Sequence, residues 1–308
     1  MPLVSVVMPS YNHEKFISEA IESVLGQDFD DLELIIVDDA STDASPQIIQ
    51  KYAEEDDRVR AIFHETNCGI AKTANDGLEI AKGKFLAIIA SDDVWMKNKL
   101  SKQLAVLKSD EDLIVHAEGE IIDERSQPVG LSFSERTGHK DSRKRSGDIF
   151  QELLGWGLIF GSSVIYKRAN QGSILFDERL VYANDEKFYL DLAAKYEFYY
   201  IPEPLAQQRI HATNTWGVKG PEPGKRPLAY QDEILVREYM LSQYHHRMSA
   251  EAKAIELEKL ASLYYTLGQN REALTYFFRA NRQYPRRFIQ STRNVLGIVL
   301  RRGIRKPT

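Results

Sequence analysis

The sequence predicts an α/β domain, a mostly parallel sheet flanked by helices, followed by a helical C-terminal extension. Three observations carry this. Over about the first hundred residues, short apolar runs alternate with segments of helical periodicity, the pattern of repeated βα units. Those runs are dense in Val, Ile and Leu without polar alternation, as in strands covered on both faces. Near Gly217 the strand signals stop and long helical periods follow.

"VSVVMP" (4–9) reads as the first strand, and 13–27 as a helix with a stripe of Phe16, Ala20, Ile21, Val24 and Leu25. "LELIIVDD" (32–39) is a second strand ending in carboxylates. A helix over 45–56 follows, with Ser45 as N-cap and Pro46 at its first position. Residues 59–65 form a strand, 69–83 a helix closed by Gly83, and "KFLAIIA" (84–90) the next strand. A helix over 100–110 and a strand region over 112–123 lead to 124–147, whose Gly, Ser and charge content reads as a mobile loop. Residues 148–169 return to helix and strand, 184–196 to helix and 197–211 to an extended segment. The domain is assigned to 1–216, a Gly/Pro/Lys linker to 217–227 and a helical region to 228–308. Within that region, "LASLYYTLGQNREALTYFFRANRQYP" has the small and aromatic spacing of one tetratricopeptide-type hairpin. With a single copy, an ordinary helical hairpin is the simpler reading.

The chain has 308 residues, a formal net charge of −5 and 43% hydrophobic composition. This is enough for one large domain with an appendage, and the acidic balance argues against nucleic acid as a partner. A lone cysteine, Cys68, excludes an intrachain disulfide and fits a reducing compartment. The N-terminus enters a strand at once, so no secretory signal is expected. No apolar run approaches the roughly 18 residues of a spanning helix. The expected location is cytoplasmic.

Polar clusters fall where strands end: Pro9, Ser10, Tyr11 and Asn12; Asp38 and Asp39; Ser91, Asp92 and Asp93. Ligands of open α/β sheets bind beyond the carboxyl ends of the strands. Adjacent carboxylates there repel and resist desolvation, and a hard divalent cation, Mg2+ or Mn2+, bridging to a diphosphate would offset this. Alone, the same pair is also an ordinary loop entrance. A buried Asp39 can accept the imide N–H of uracil or thymine. Tyr11 and the turn around it can offer a ring and backbone to a nucleoside. Gly69 permits close backbone approach, and Lys72 in the same segment joins the nucleotide-binding candidates.

Taken together, "VSVVMPSYNHEKFISEAIESVLGQDFDDLELIIVDDASTDAS", "NCGIAKTANDGLEIAKGKFLAIIASDDVW" and "NDEKFYLDLAAKYEFYYIPEPLAQQRIHATN" resemble the family 2 glycosyltransferases over about residues 3–215. The resemblance implies a GT-A fold, a nucleotide-sugar donor and inversion. It implies that Asp39 binds the base with Pro9 and Tyr11 lining the nucleoside site, and that Ser91-Asp92 ends an Asp-x-Asp motif; Asn12, in the same turn as Tyr11, joins the nucleotide-binding candidates. Asp92 would then ligate the metal, with Asp93 and His211 beside it, and Asp185 would be the catalytic base. Two departures stand out: Ala90 where many members carry Asp, and Asn184 where the family carries Glu. Inversion is a single displacement in which a base takes the acceptor proton, and a helix N-terminus keeps Asp185 ionised. The 124–147 loop and the segment from Trp156 to Ser163 are expected to choose the acceptor, a glycan or lipid-linked hydroxyl.

From Arg286 to Lys306 there are seven basic residues and no acidic one, interleaved with apolar positions. The segment 285–306 reads as an interfacial membrane helix or as a helix docked on the protein's own acidic surface. Membrane attachment would place the enzyme on the inner face of the plasma membrane, in surface-polysaccharide assembly. The competing readings are a catalytically inactive nucleotide-binding module and a helical interaction scaffold. A nucleotidyltransferase would want a Gly-rich basic loop where "PSYNHEKF" stands.

Overall fold

The computed structural model describes residues 1–138, 145–154, 159–212, 214 and 224–285. The chain divides into two compact units, Met1–Gly220 and Pro221–Thr308. The basic segment from Arg286 onward lies outside the described residues, as do 139–144, 155–158 and most of the Gly/Pro/Lys linker.

In the first unit the strands are β1 (Val4–Ser10), β2 (Leu32–Asp38), β3 (Val59–Phe63), β4 (Phe85–Ile88), β5 (Val94–Trp95), β6 (Ile114–Ile122), β7 (Pro128–Ser132), β8 (Ile165–Lys167) and β9 (Phe198–Arg209). The helices are α1 (Ile17–Leu25), α2 (Ser45–Glu55), α3 (Ile70–Ile80), α4 (Lys99–Leu107), α5 (Phe133–Arg136), α6 (Phe150–Leu153), α7 (Arg168–Gln171) and α8 (Asn184–Ala193). Among the described residues the strands form one sheet in the order β3-β2-β1-β4-β8-β6-β9-β5, with β7 pairing off β6. The expected parallel arrangement holds across β3-β2-β1-β4. Beyond β4 the sheet is mixed, because β8 runs antiparallel to both β4 and β6 while β9 is parallel to β6.

Side-chain alternation sets which helix covers which face. Val4, Val6 and Met8 of β1 pack with Ile17, Ala20, Ile21 and Val24 of α1 and Leu100, Leu104 and Leu107 of α4. Val7 points the other way, against α3. There a Cβ on Gly77 would stand 2.4 Å from Val7 Cγ1, so the glycine lets helix and strand touch. Every residue of β1 and β2 is buried, which suits their largely apolar sequence, and the two polar residues inside them pair, Ser5 Oγ donating to Glu33 Oε1 (2.6 Å). The parallel register pairs Ser10 with Asp38 and Val7 with Ile88. The carboxyl ends of β1, β2 and β4 therefore open on one edge.

Three local expectations are corrected. Ser45 is the first residue of α2 rather than its cap, because its Oγ accepts the His13 N–H (3.0 Å). Gly83 does not close α3, which ends at Ile80. Its N–H donates to Ser5 Oγ (2.7 Å), and a Cβ there would lie 2.4 Å from Ser5 N. The polar stretch after Asp123 is not all loop. Asp123 Oδ1 accepts from the N–H groups of Arg125 and Gln127 and turns the chain into β7. A capping box of Ser132 and Glu135 then starts α5. Because β7 is largely exposed, it carries no apolar alternation to read.

Lys99 is fully buried, its Nζ donating to Gln103 Oε1 (2.7 Å) and lying 3.9 Å from the centre of the Trp95 ring. Burial holds its amine well below the usual lysine range. The unfolded chain therefore binds a proton that the folded chain refuses, and stability should rise with pH up to the ordinary lysine value. We expect wild type to gain stability relative to Lys99→Met by at most about 1.4 kcal/mol per pH unit in that window. Denaturant unfolding at pH 7, 8 and 9 checks this.

The second unit holds α9 (Arg226–Gln243), α10 (Ala250–Thr266) and α11 (Asn270–Gln283). Ser249 caps α10 by accepting the Ala252 N–H (3.0 Å), and Gly268 ends the turn at φ 80°. Ile234, Leu260 and Leu263 form the apolar centre. The stacked rings of Tyr264 and Tyr276 both donate to Glu238 Oε1. No helix among the described residues is long and apolar enough to cross a membrane.

Candidate active site

The sheet edge opens into a cavity of about 530 Å³ lined by residues of all three strand ends, among them Pro9, Tyr11, Asp39, Ser91, Asp92 and Asp93. Asp185, at the start of α8, lines it as well. Of the ten sequence candidates, seven line this cavity and His211 joins them through its contact with Asp92; Asn12 and Lys72 do not.

The two adjacent aspartates have different surroundings. Asp92 Oδ2 lies 2.9 Å from His211 Nε2 and accepts from Asn214 Nδ2 (3.1 Å). Burial opposes its ionisation, but the His211 hydrogen bond and the His13 and His211 rings outweigh it and hold the carboxyl below the usual range. Asp93, expected beside the metal, is instead engaged by the protein at both oxygens. Oδ2 accepts from Ser162 Oγ (2.5 Å) and Oδ1 from the Arg209 N–H (3.1 Å). Burial and the Asp92 charge push its carboxyl well above the usual range. His13, on the turn after β1, completes the Asp92 side: donor atoms of His13, Asp92 and His211 all lie within 4.8 Å of one another. Two imidazoles and a carboxylate are a donor set that suits a divalent cation.

Asp39 is buried and held by local donors. Its oxygens accept the Cys68 and Gly69 N–H groups, both at 2.8 Å, and Oδ1 lies 2.9 Å from His64 Nδ1. It thereby holds the 67–69 turn, where Gly69 needs its positive φ of 87°, against the cavity. Asn12 does not line the cavity. At φ 54° it ties its turn to the next loop, accepting from Thr42 N–H (2.8 Å) and donating its own N–H to Ser41 Oγ (2.8 Å). Lys72 also falls outside, paired with Asp76, which lies 3.1 Å from His64 Nε2.

Asp185 Oδ1 accepts the Glu186 N–H (2.8 Å). The residue remains exposed to solvent in the cavity, but protein atoms crowd it, and this desolvation raises its carboxyl above the usual range. Asn184 donates to the Val181 carbonyl (3.2 Å), a structural bond at the helix start. A second cavity of about 360 Å³ adjoins the first, and Ala90, Asp93, Arg136, Asp185 and Gln208 line both. Its walls include Phe133 and Phe160, stacked 5.2 Å apart, with Tyr182 and Tyr189. Both segments singled out for acceptor choice contribute to it; Trp156 itself lies outside the described residues.

Sequence reasoning missed His13, Asn214 and Arg136. His13 stood in the quoted "PSYNHEKF", and Asn214 three residues past His211. Arg136, bonded to Gln208 Oε1 (2.5 Å), sat in a stretch read as loop. Arg209 is buried, contacting Glu19 (2.6 Å), the Asp92 carbonyl (2.9 Å) and Ser126 (2.8 Å).

A family model described as "Glycosyl transferase family 2" matches residues 5–169. Over 103 residues the chain is 47% identical to the putative teichuronic acid biosynthesis glycosyltransferase TuaG of Bacillus subtilis (strain 168). That match covers 33% of this chain, which spans only 41% of the relative's length. Among solved structures, S. aureus TarS 1-349 in complex with UDP-GlcNAc superposes with a TM-score of 0.64 at 22% identity, covering 94% of this chain and 81% of that one. The mannosyltransferase PcManGT from Pyrobaculum calidifontis, in complex with GDP-Man and Mn2+, gives 0.58 at 17% identity, covering 96% and 81%. Both show the fold, the GT-A arrangement.

Proposed function

The chain belongs to glycosyl transferase family 2, and from that premise we propose that it moves a sugar from a UDP- or dTDP-sugar to a hydroxyl of a glycan or lipid-linked acceptor, inverting the anomeric carbon. The observation that carries this reading is the junction of two cavities at Asp185. The donor occupies the larger cavity, with its base toward Asp39 and Tyr11 and its diphosphate toward Asp92. The acceptor occupies the aromatic-walled one. Asp185 touches both spaces, where a base must stand to take the acceptor proton as the hydroxyl attacks. Its raised pKa brings it nearer the operating pH, and Arg136 at the same junction faces the negative charge that develops.

Asp92 and His211 would hold Mn2+ or Mg2+, which supplies neutralisation of the departing diphosphate. The UDP-GlcNAc and GDP-Man complexes of the structural relatives support a nucleotide-sugar donor. The name of the Bacillus relative supports a setting in surface-polysaccharide assembly. We assign both substrates to the Met1–Gly220 unit. The basic 285–306 segment is proposed to hold the enzyme at the inner membrane surface.

Calorimetric titration of UDP, dTDP, GDP and CDP with Mn2+ tests the donor assignment. UDP or dTDP is expected to bind most tightly. A preference for GDP would remove Asp39 as a uracil or thymine reader, and binding of none would remove the enzyme reading.

A further inference from the structure

We infer that His13 is a third protein ligand to the cation, so that two imidazoles and one carboxylate hold it and select a first-row transition cation such as Mn2+ over Mg2+. This rests on the metal-assisted reading above and deepens it. The strand end after β4 supplies a single carboxylate to this point. Ala90 has no ligating group, and Asp93 is spent on Ser162 Oγ and the Arg209 N–H. Of the described residues near Asp92, the groups whose donor atoms converge within 4.8 Å are His211 and His13.

His13 is positioned for the role. Its backbone N–H is anchored on Ser45 Oγ (3.0 Å) and its Nδ1 lies 2.8 Å from Ser91 Oγ. Such an outer bond fixes the orientation and tautomer of a ligating imidazole. The ring stands edge-on to His211 at 5.5 Å between centroids. Mg2+ is a hard cation that takes oxygen ligands and keeps its waters, whereas imidazole nitrogen suits transition cations. Two imidazoles beside a single carboxylate move the site toward the latter. The competing account is packing alone: Phe16 lies 4.6 Å from His211 and 6.2 Å from His13, and an aromatic cluster needs no cation.

Pulsed EPR of Mn2+ added to the full chain with UDP counts the nitrogens bound to the metal. Calorimetry on wild type and His13→Gln gives the Mn2+ and Mg2+ affinities. The expected result is two imidazole couplings in wild type and Mn2+ bound at least about tenfold more tightly than Mg2+. His13→Gln should lose one coupling and at least about tenfold in Mn2+ affinity. A single coupling in wild type overturns the role of His13 and leaves Asp92 and His211 as metal holders. UDP binding with no bound Mn2+ overturns both. The wild-type spectrum decides whether or not the variant folds.

Discussion

Asp185→Asn is expected to slow nucleoside diphosphate release from a UDP-sugar in Mn2+ by about a hundredfold to ten-thousandfold while leaving UDP affinity unchanged. The substitution is nearly isosteric, and the amide oxygen still accepts the Glu186 N–H that Oδ1 now accepts. Only the capacity to take a proton is removed. Because desolvation by crowding protein atoms raises the Asp185 carboxyl, wild-type activity should fall with acid at a pH above the ordinary carboxylate range. The base is lost as it protonates, and that acidic limb should vanish in the variant. A parallel loss of UDP affinity would instead make Asp185 structural, a cap for α8.

Asp92→Ala is expected to abolish the part of UDP affinity that depends on Mn2+, a loss of about a hundredfold or more. Asp92 is the carboxylate in contact with both His211 and Asn214, and its depressed pKa keeps it charged. Asp93→Ala should behave differently. It strands the Ser162 hydroxyl and the Arg209 N–H in the interior, so it should cost about 1–3 kcal/mol of stability. Calorimetry with and without Mn2+, beside thermal unfolding of both variants, separates the two roles. Equal effects of the two substitutions on metal-dependent binding would contradict the division.

The parts legible in the sequence were those fixed locally. β1, β2 and β4 announced themselves because strands covered on both faces are dense in apolar residues. Asp39 and Asp92 could be found because strand ends are local features too, and Asp185 through the family resemblance. The difference between Asp92 and Asp93 was not legible, since it is decided by Ser162 and Arg209, 69 and 116 residues further along. His13 meets Ser91 across 78 residues, and no periodicity encodes that meeting. β7 and Arg136 were hidden because an exposed strand and a four-residue helix carry a loop's composition. Lys72 is another case. Asp76 stands four residues after it on the same helix, and the i,i+4 pair was present in the sequence to account for its charge.

The configuration of the product tests most directly whether the reaction is a single displacement assisted by Asp185. Given an α-linked UDP-sugar and Mn2+ without acceptor, water takes the place of the acceptor hydroxyl, and proton NMR follows the anomer released before mutarotation. Attack from the face opposite the leaving group predicts the β-anomer first, with the α-anomer growing in later. Initial release of the α-anomer would contradict a single displacement.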